Sequence, residues 1–438
     1  MSLLAKTTAI QPGKDLSESK LLEGESNLYN LSIFDWANVA PRRPITDQKE
    51  EDVLARVHEA KRNSISYGVG FESTPRSGSL STGTLILPGL PTIGLPKNFT
   101  IIEKTIISPL GSISYSRLNM RGLGETASIS GLVSSLDQKG SITYSSPHFY
   151  GTNWSSLFST SAERTTQNPL FAAEIGQGSF QLERALDPGK TRRIQLRYTF
   201  QYVALNHLLI QNFVPSEDLN TRLSTLSATF LRDSRDKPLD AHRGVFQTFD
   251  LQVSPKVLGS SDNIARLFAQ TAIYHQITPW LVFANNLRLG LITAFPGSHV
   301  PFSQRFFSGG ADSLRGFPLN GAGPQAIALL CTSESDPTTC TAKVSVPTGG
   351  QQLFIFNSEA RFPIPIIKGL GGVLFYDGGN VYPYISLKGL VQNYSNSVGV
   401  GLRYQTPVGP VRIDFGHSLN PVPGLSSVQI FVTLGQAF

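Results

Sequence analysis

Arg315, Glu359 and Asp377 are the charged residues whose surroundings suggest a joint task. A guanidinium carries its donors in a fixed fork and can bridge two carboxylates. Arg315 lies in residues 303–324, SQRFFSGGADSLRGFPLNGAGP, where seven of 22 residues are Gly or Pro. That composition makes a loop and not a strand. Gly309, Gly310 and Gly316 allow sharp reversals on either side of Leu314 and Arg315. A solvent loop has no use for RFF at one end and LRG-Phe317 at the other. The stretch therefore reads as a loop folded back into a cavity with Arg315 at its tip; an ordinary surface loop is the alternative. Glu359 sits in LFIFNSEARF on the face of Asn357 and Arg361, opposite Phe354, Phe356 and Phe362. Asp377 shares a face with Phe375, opposite Leu374 and Tyr376. Strand side chains alternate between faces, so both carboxylates point to the polar side of adjacent strands. The chemistry is an ion-paired latch. Pairing of Glu359 with Arg361 or Arg403 across strands is the alternative.

Catalytic and metal sets do not emerge. The seven histidines are scattered singly, without HxH or HExxH spacing. Asp414 and His417 lie close, but an i, i+3 pair in one strand faces opposite sides. An enzyme is not expected, nor a cofactor. Cys331 and Cys340 share one loop with no second ligand pair, so a disulfide is expected rather than zinc. Net charge is +6, but no Lys/Arg run exceeds two, and nucleic-acid binding is not expected.

Positioning these residues needs strands. From residue 64 onward, period-two alternation bounded by turn residues recurs about sixteen times, from 64–73 to 427–438. Charged residues are 16% of the chain, with 40 Gly and 26 Phe. No apolar run reaches the ~18 residues of a spanning helix. In VGVGLRYQ, Val400, Leu402 and Tyr404 alternate with Gly401, Arg403 and Gln405. In PVRIDFG, Val411, Ile413 and Phe415 alternate with Arg412 and Asp414. Charges on that second face would cost roughly 2–4 kcal/mol each in lipid, so they face an aqueous lumen. Short connections (119–124, 145–153, 167–169, 362–369, 405–410) are expected at one end and long ones (74–110, 206–222, 294–350, 379–395) at the other. The fold class is all-β: a closed transmembrane antiparallel β-barrel of about sixteen strands. Residues 1–60 differ, with a helical period over 17–31 and short strands at 36–39 and 53–57. No signal peptide is evident at the N-terminus, so the chain reads as a fragment whose start is missing.

Several of these stretches resemble the BamA/TamA family of outer-membrane assembly proteins. RFFSGGADSLRGF is similar to its signature loop, NMRGLG to a periplasmic turn, and RDSRDKPLDAHRGVF to a hairpin. FNSEARFPI, VLFYDGGNVYP, GVGLRYQTPVGPVRIDFGHSL and the terminal Phe438 follow in the family's order. LLEGESNLYNLSIFDWANV resembles the closing half of a POTRA module, with Ser32 where Gly is usual. The resemblance implies residues 1–60 as a partial α/β POTRA module and 61–438 as the barrel, in the bacterial cell outer membrane. It implies a loop inserted into the barrel with its Arg against Glu359 and Asp377. It implies assembly of β-barrel proteins without ATP. Expected partners are outer-membrane lipids, unfolded β-barrel substrates, and accessory lipoproteins or periplasmic chaperones. The opening would be a weak seam between first and last strands. Ser66, Gly68 and Gly70 stand on one side and Gly435 and Phe438 on the other, with glycines weakening the pairing. A two-partner-secretion polypeptide transporter is the alternative, and a passive porin a third class.

Overall fold

The computed structural model describes residues 3–8, 10–31, 33–42, 50–77, 84–85, 93–94, 103–166, 172–206, 214–331, 340–365, 367–406, 409–421 and 426–438. Helices α1 (Leu3–Thr8) and α2 (Glu18–Tyr29) open the chain, and strands β1 (Phe34–Pro41) and β2 (Val53–Glu59) pair antiparallel behind them. Ser17 caps α2, its side chain accepting from Lys20 N, which meets an orphan donor of the first turn. Leu28, Ile33, Phe34, Ala37 and Val39 form the core of this module, with Leu118 of the barrel packed against it. The sequence reading missed α1. It leans on a barrel turn, with Thr7 Oγ1 lying 3.2 Å from His148 Nε2.

Then come β3 (Asn63–Ser77), the two-residue pair β4 (Thr84–Leu85) and β5 (Ile93–Gly94), β6 (Glu103–Met120), β7 (Glu125–Ser134), β8 (Asp137–Ser146) and β9 (Ser155–Thr165). They are followed by β10 (Ala172–Ala185), β11 (Arg192–Asn206), β12 (Asn220–Asp233), β13 (Gly244–Ser254), β14 (Ile264–Thr278) and β15 (Leu281–Ala294). The hairpin β16 (Gln325–Cys331) and β17 (Cys340–Pro347) lies within the long loop. The chain ends with β18 (Gln352–Pro363), β19 (Leu370–Tyr382), helix α3 (Leu387–Gln392), β20 (Ser395–Thr406), β21 (Gly409–Ser418) and β22 (Val428–Leu434). Sixteen of these strands make one antiparallel sheet, in sequence order from β3 to β22 with the pairs β4–β5 and β16–β17 left out.

The sheet is apolar on its outside and polar on its inside. In β20, Val398, Val400, Leu402 and Tyr404 are exposed, while Ser397 and Arg403 are buried. A soluble sheet would bury the opposite set. This inversion suits a wall between lipid and a wet lumen. Connections near the N-terminal module are mostly short and those at the far end mostly long. The 167–169 stretch lies outside the described residues, but β9 and β10, which it joins, meet at the far end. It therefore belongs with the long connections and not with the short turns. The reason is parity: each strand reverses direction, and β7 (Glu125–Ser134) and β8 (Asp137–Ser146) are joined by a two-residue turn at the far end, too short to stand out in the sequence.

Two further expectations are corrected. The last strand does not run to Phe438. Its ladder with β21 ends at Leu434. Gly435 has φ +95°, a left-handed conformation that glycine tolerates, and it turns the tail inward. Gln436 then donates to Asp240 at 3.0 Å. The Phe438 ring lies 6.4 Å from Tyr274 and 5.4 Å from the Arg361 guanidinium. Phe438 therefore belongs to the lumen and not to the seam. The second correction concerns closure: among the described residues, β3 pairs with β6 alone and β22 with β21 alone. The two end strands share no ladder.

Candidate functional site

Residues 303–324 return from the far end into the lumen. Gly309 and Gly310 both have positive φ, +109° and +96°, and reverse the chain before Leu314. Leu314 and Phe317 are fully buried in a cluster with Ile264, Ile292, Phe306, Leu353 and Ile355. The loop thus packs its apolar residues against an inward apolar patch of β14, β15 and β18. Gly316 and Gly416 of β21 meet back to back. A Cβ on Gly416 would fall 2.0 Å from the Arg315 carbonyl oxygen. Only bare backbone on both sides permits that approach.

Arg315 is 1% exposed, and Glu359 and Asp377 are 0%. Arg315 grips Asp377 as a fork: Nε donates to Oδ2 at 2.8 Å and Nη2 to Oδ1 at 2.7 Å. Its backbone N–H adds a third bond to Oδ2 at 3.0 Å. Nη1 donates to Glu359 Oε1. The guanidinium also lies 3.6 Å from the Phe375 ring centre, a cation–π contact strengthened by desolvation. Both suggested pairings of Glu359 occur together, because Arg361 Nε donates to its other oxygen at 2.8 Å. Arg403 Nη2 stands 3.5 Å from Glu359 Oε1.

Sequence reasoning placed Arg403, Arg412 and Asp414 in the lumen, offered Arg403 only Glu359 as a partner, and gave Arg412 and Asp414 none. Arg403 Nη1 donates to Asp414 at 2.7 Å, and Arg412 donates to Asp312 of the loop. Asn357 ties loop to wall, its Nδ2 donating to Ser313 O at 2.6 Å and Asp377 Oδ1 at 2.8 Å. Its place on the face of Glu359 was the available signal.

The seam residues lie elsewhere. Ser66, Gly68 and Gly70 are on β3, whose neighbours Ile65, Tyr67 and Val69 are 69%, 87% and 92% exposed. Cys331 and Cys340 face each other across the β16–β17 hairpin; their side chains lie outside the described residues. Opposed positions in an antiparallel pair suit a disulfide. Mass spectrometry of an unreduced digest is expected to find one linked peptide pair; alkylation of both thiols without reductant would contradict it.

The root of the loop is held at the far end by His299. Its Nε2 lies 2.7 Å from Asp218 Oδ1 and its Nδ1 3.3 Å from Asp262 Oδ1, with Glu217 at 3.7 Å. Asp218 also accepts from Phe302 N at 3.0 Å, and Lys256 stands 3.9 Å from Asp262. Partial burial works against the imidazolium. The bond to Asp218 and the charges of Asp218, Asp262 and Glu217 outweigh it, so His299 titrates above its ordinary 6.5. A raised folded value means the clasp is fully present below the ordinary value and is lost as pH rises through the folded one. The protection of residues 299–305 against hydrogen exchange, taken relative to the intrinsic rate at each pH, is expected to fall on going from acid to alkaline pH, and His299→Gln to remove that change.

Fold and site define a transmembrane barrel with a far-end loop tied inside it by a buried ion cluster. The chain belongs to the Omp85 superfamily, whose domain matches residues 119–438. It is a bacterial outer-membrane barrel of the BamA/TamA type. It is 26% identical over 198 residues to an outer membrane protein assembly factor BamA of Nitratidesulfovibrio vulgaris, covering 45% of this chain and 23% of that protein. It is 25% identical over 203 residues to a SAM50-like protein of Schizosaccharomyces pombe, covering 44% of this chain and 39% of that one. The aligned part is thus well under half of either relative. The fold is similar to BamA of Haemophilus ducreyi lacking POTRA domains 1–3, with TM-score 0.70 and 18% identity, over 98% of this chain and 80% of that one. It is also similar to CdiB of Acinetobacter baumannii, with TM-score 0.55 and 14% identity, over 100% of this chain and 72% of that one.

Proposed function

We propose that this protein assembles β-barrel proteins into the outer membrane without ATP, through the seam between β3 and β22. The observation that carries this is the unpaired edge. β3 offers 15 residues and β22 only 7. Unpaired N–H and C=O groups at a sheet edge template an incoming strand. Each strand added satisfies backbone groups that lipid cannot serve, so pairing itself supplies the driving force. Unfolded β-barrel polypeptides are the substrates, and accessory lipoproteins or periplasmic chaperones deliver them on the side of the α1–β2 module. The buried latch on Arg315 keeps the loop, and with it the far half of the wall, rigid while the seam moves. The test is reconstitution: vesicles holding the protein receive an unfolded barrel protein without nucleotide, and its protease-resistant fraction is followed. Insertion no faster than into empty vesicles would overturn the proposal.

A second reading, export of a polypeptide through the lumen, has one observation in its favour. The inner face of the early strands is a wall of hydroxyls, with Ser130 and Ser141 bonded at 2.7 Å and Ser128 and Thr143 at 3.0 Å. In the same assay, substrate delivered to the far compartment and soluble there would favour that reading.

A further inference from the structure

The ion cluster that holds the loop continues toward the module end, where it borders a cavity of about 280 Å³. Arg361 and Arg403 line that cavity, together with Val282, Gln405, Gln436 and Trp280. The two arginines are 8% and 4% exposed. Arg361 holds Glu359 through Nε and Nη2, and Arg403 donates from Nη1 to Asp414 and ion-pairs through Nη2 with Glu359. Arg361 Nη1 and Arg403 Nε have no hydrogen-bond partner. Leaving charged donors unmet in a buried site is costly. Four guanidiniums at least nine-tenths buried (Arg315, Arg361, Arg403, Arg412) meet three such carboxylates, Glu359, Asp377 and Asp414, and a fourth in Asp312 of the loop. Asp312, which meets Arg412, has a side chain 75% exposed. Asp240, also on the cavity wall, has both oxygens engaged by Gln405 and Gln436.

We propose that this cavity is a binding site for a phosphate group, held by Arg361 and Arg403. The two donors come from β18 and β20, with β19 between them. A carboxylate presents its two oxygens in one plane and suits a single fork. A tetrahedral phosphate presents oxygens in several directions and can accept from both guanidiniums at once. The unmet guanidinium donors favour an anionic acceptor, because charge-assisted hydrogen bonds are stronger than those to a neutral acceptor. The site goes beyond the assembly reading and does not depend on it. The phosphate is either a free anion or the headgroup of a phospholipid entering from the module-end mouth.

The experiment uses the full chain in phosphate-free detergent at constant ionic strength. It is titrated with inorganic phosphate and, separately, with dihexanoylphosphatidylglycerol. Fluorescence of Trp280, one of three tryptophans in the chain, reports occupancy, with calorimetry alongside. A saturable response is expected in the range of about 1 mM or below, absent with chloride. Arg403→Gln is expected to weaken it by roughly tenfold or more. Arg403 also serves the ion cluster, so Val282→Phe is the second variant: it fills the cavity and leaves both guanidiniums in place. This variant is expected to abolish the response. Tighter binding of the lipid identifies the headgroup as the source, and equal or tighter binding of inorganic phosphate identifies the free anion. No saturable response to either, or one unchanged in Val282→Phe, overturns the proposal.

Discussion

Arg315→Ala is expected to release the loop from the lumen. Breaking a buried ion pair by removing one partner costs about 3–5 kcal/mol, because the other charge stays buried and unmatched. Here the unmatched charge is Asp377. Arg315 gives it three bonds, and the one other donor the structure shows it is Asn357. Glu359 fares better, since Arg361 and Arg403 remain beside it. The loss should therefore couple to Asp377 far more than to Glu359. Combining Arg315→Ala with Asp377→Asn removes the stranded charge, so the double variant should be no worse than Arg315→Ala alone. Arg315→Lys should recover only part, since an ammonium cannot make the fork. Hydrogen-exchange protection over residues 309–318 is the measurement. Strict additivity of the two substitutions would contradict the assigned pairing.

Gly416→Ala should have the second-largest effect, without touching any charge. The added methyl would fall 2.0 Å from the Arg315 carbonyl oxygen and 3.0 Å from Gly316 N. Both are backbone atoms of the loop tip, so no rotamer change relieves the clash. Overpacking of this kind typically costs about 1–3 kcal/mol, here directed against docking of the loop. Gly140→Ala is the control, because a Cβ there meets nothing within 4 Å. Heat-modifiable mobility on gels and exchange at residues 314–317 should separate the two. Equal behaviour would mean that the loop does not depend on this close approach.

The barrel was legible because its signal is local. Alternation in PVRIDFG or VGVGLRYQ is a property of one strand, and lipid on the outside makes the alternation strict. The pairing of Arg315 with Asp377 and Glu359 was legible for a related reason: the loop carries one guanidinium at its tip, and two nearby strands offer inward carboxylates. What was missed depends on register. Arg403 meets Asp414 because Gly401 lies opposite Asp414 in the β20–β21 ladder, and no single-strand pattern carries that offset. The inward turn of Phe438 had a signal, Gly435, but an alternating reading of VQIFVTLGQAF carries straight through it. The short helix α1 has six residues, too few for a helical period to declare itself. It is held by Leu3 and Leu4 packing on the module core and by the contact of Thr7 with His148 of the barrel turn.

The seam remains the central element, and locking it tests its role most directly. Ser66 is changed to Cys together with one residue of Gln429–Thr433, and the pair that oxidises is chosen so that β3 is tied to β22. The fold should survive, since the inward latch and the other ladders are untouched. Reconstituted into vesicles, the oxidised barrel should insert no more unfolded barrel protein than empty vesicles do, and reduction should restore insertion. Full insertion by a barrel shown to be completely cross-linked would contradict assembly through the seam.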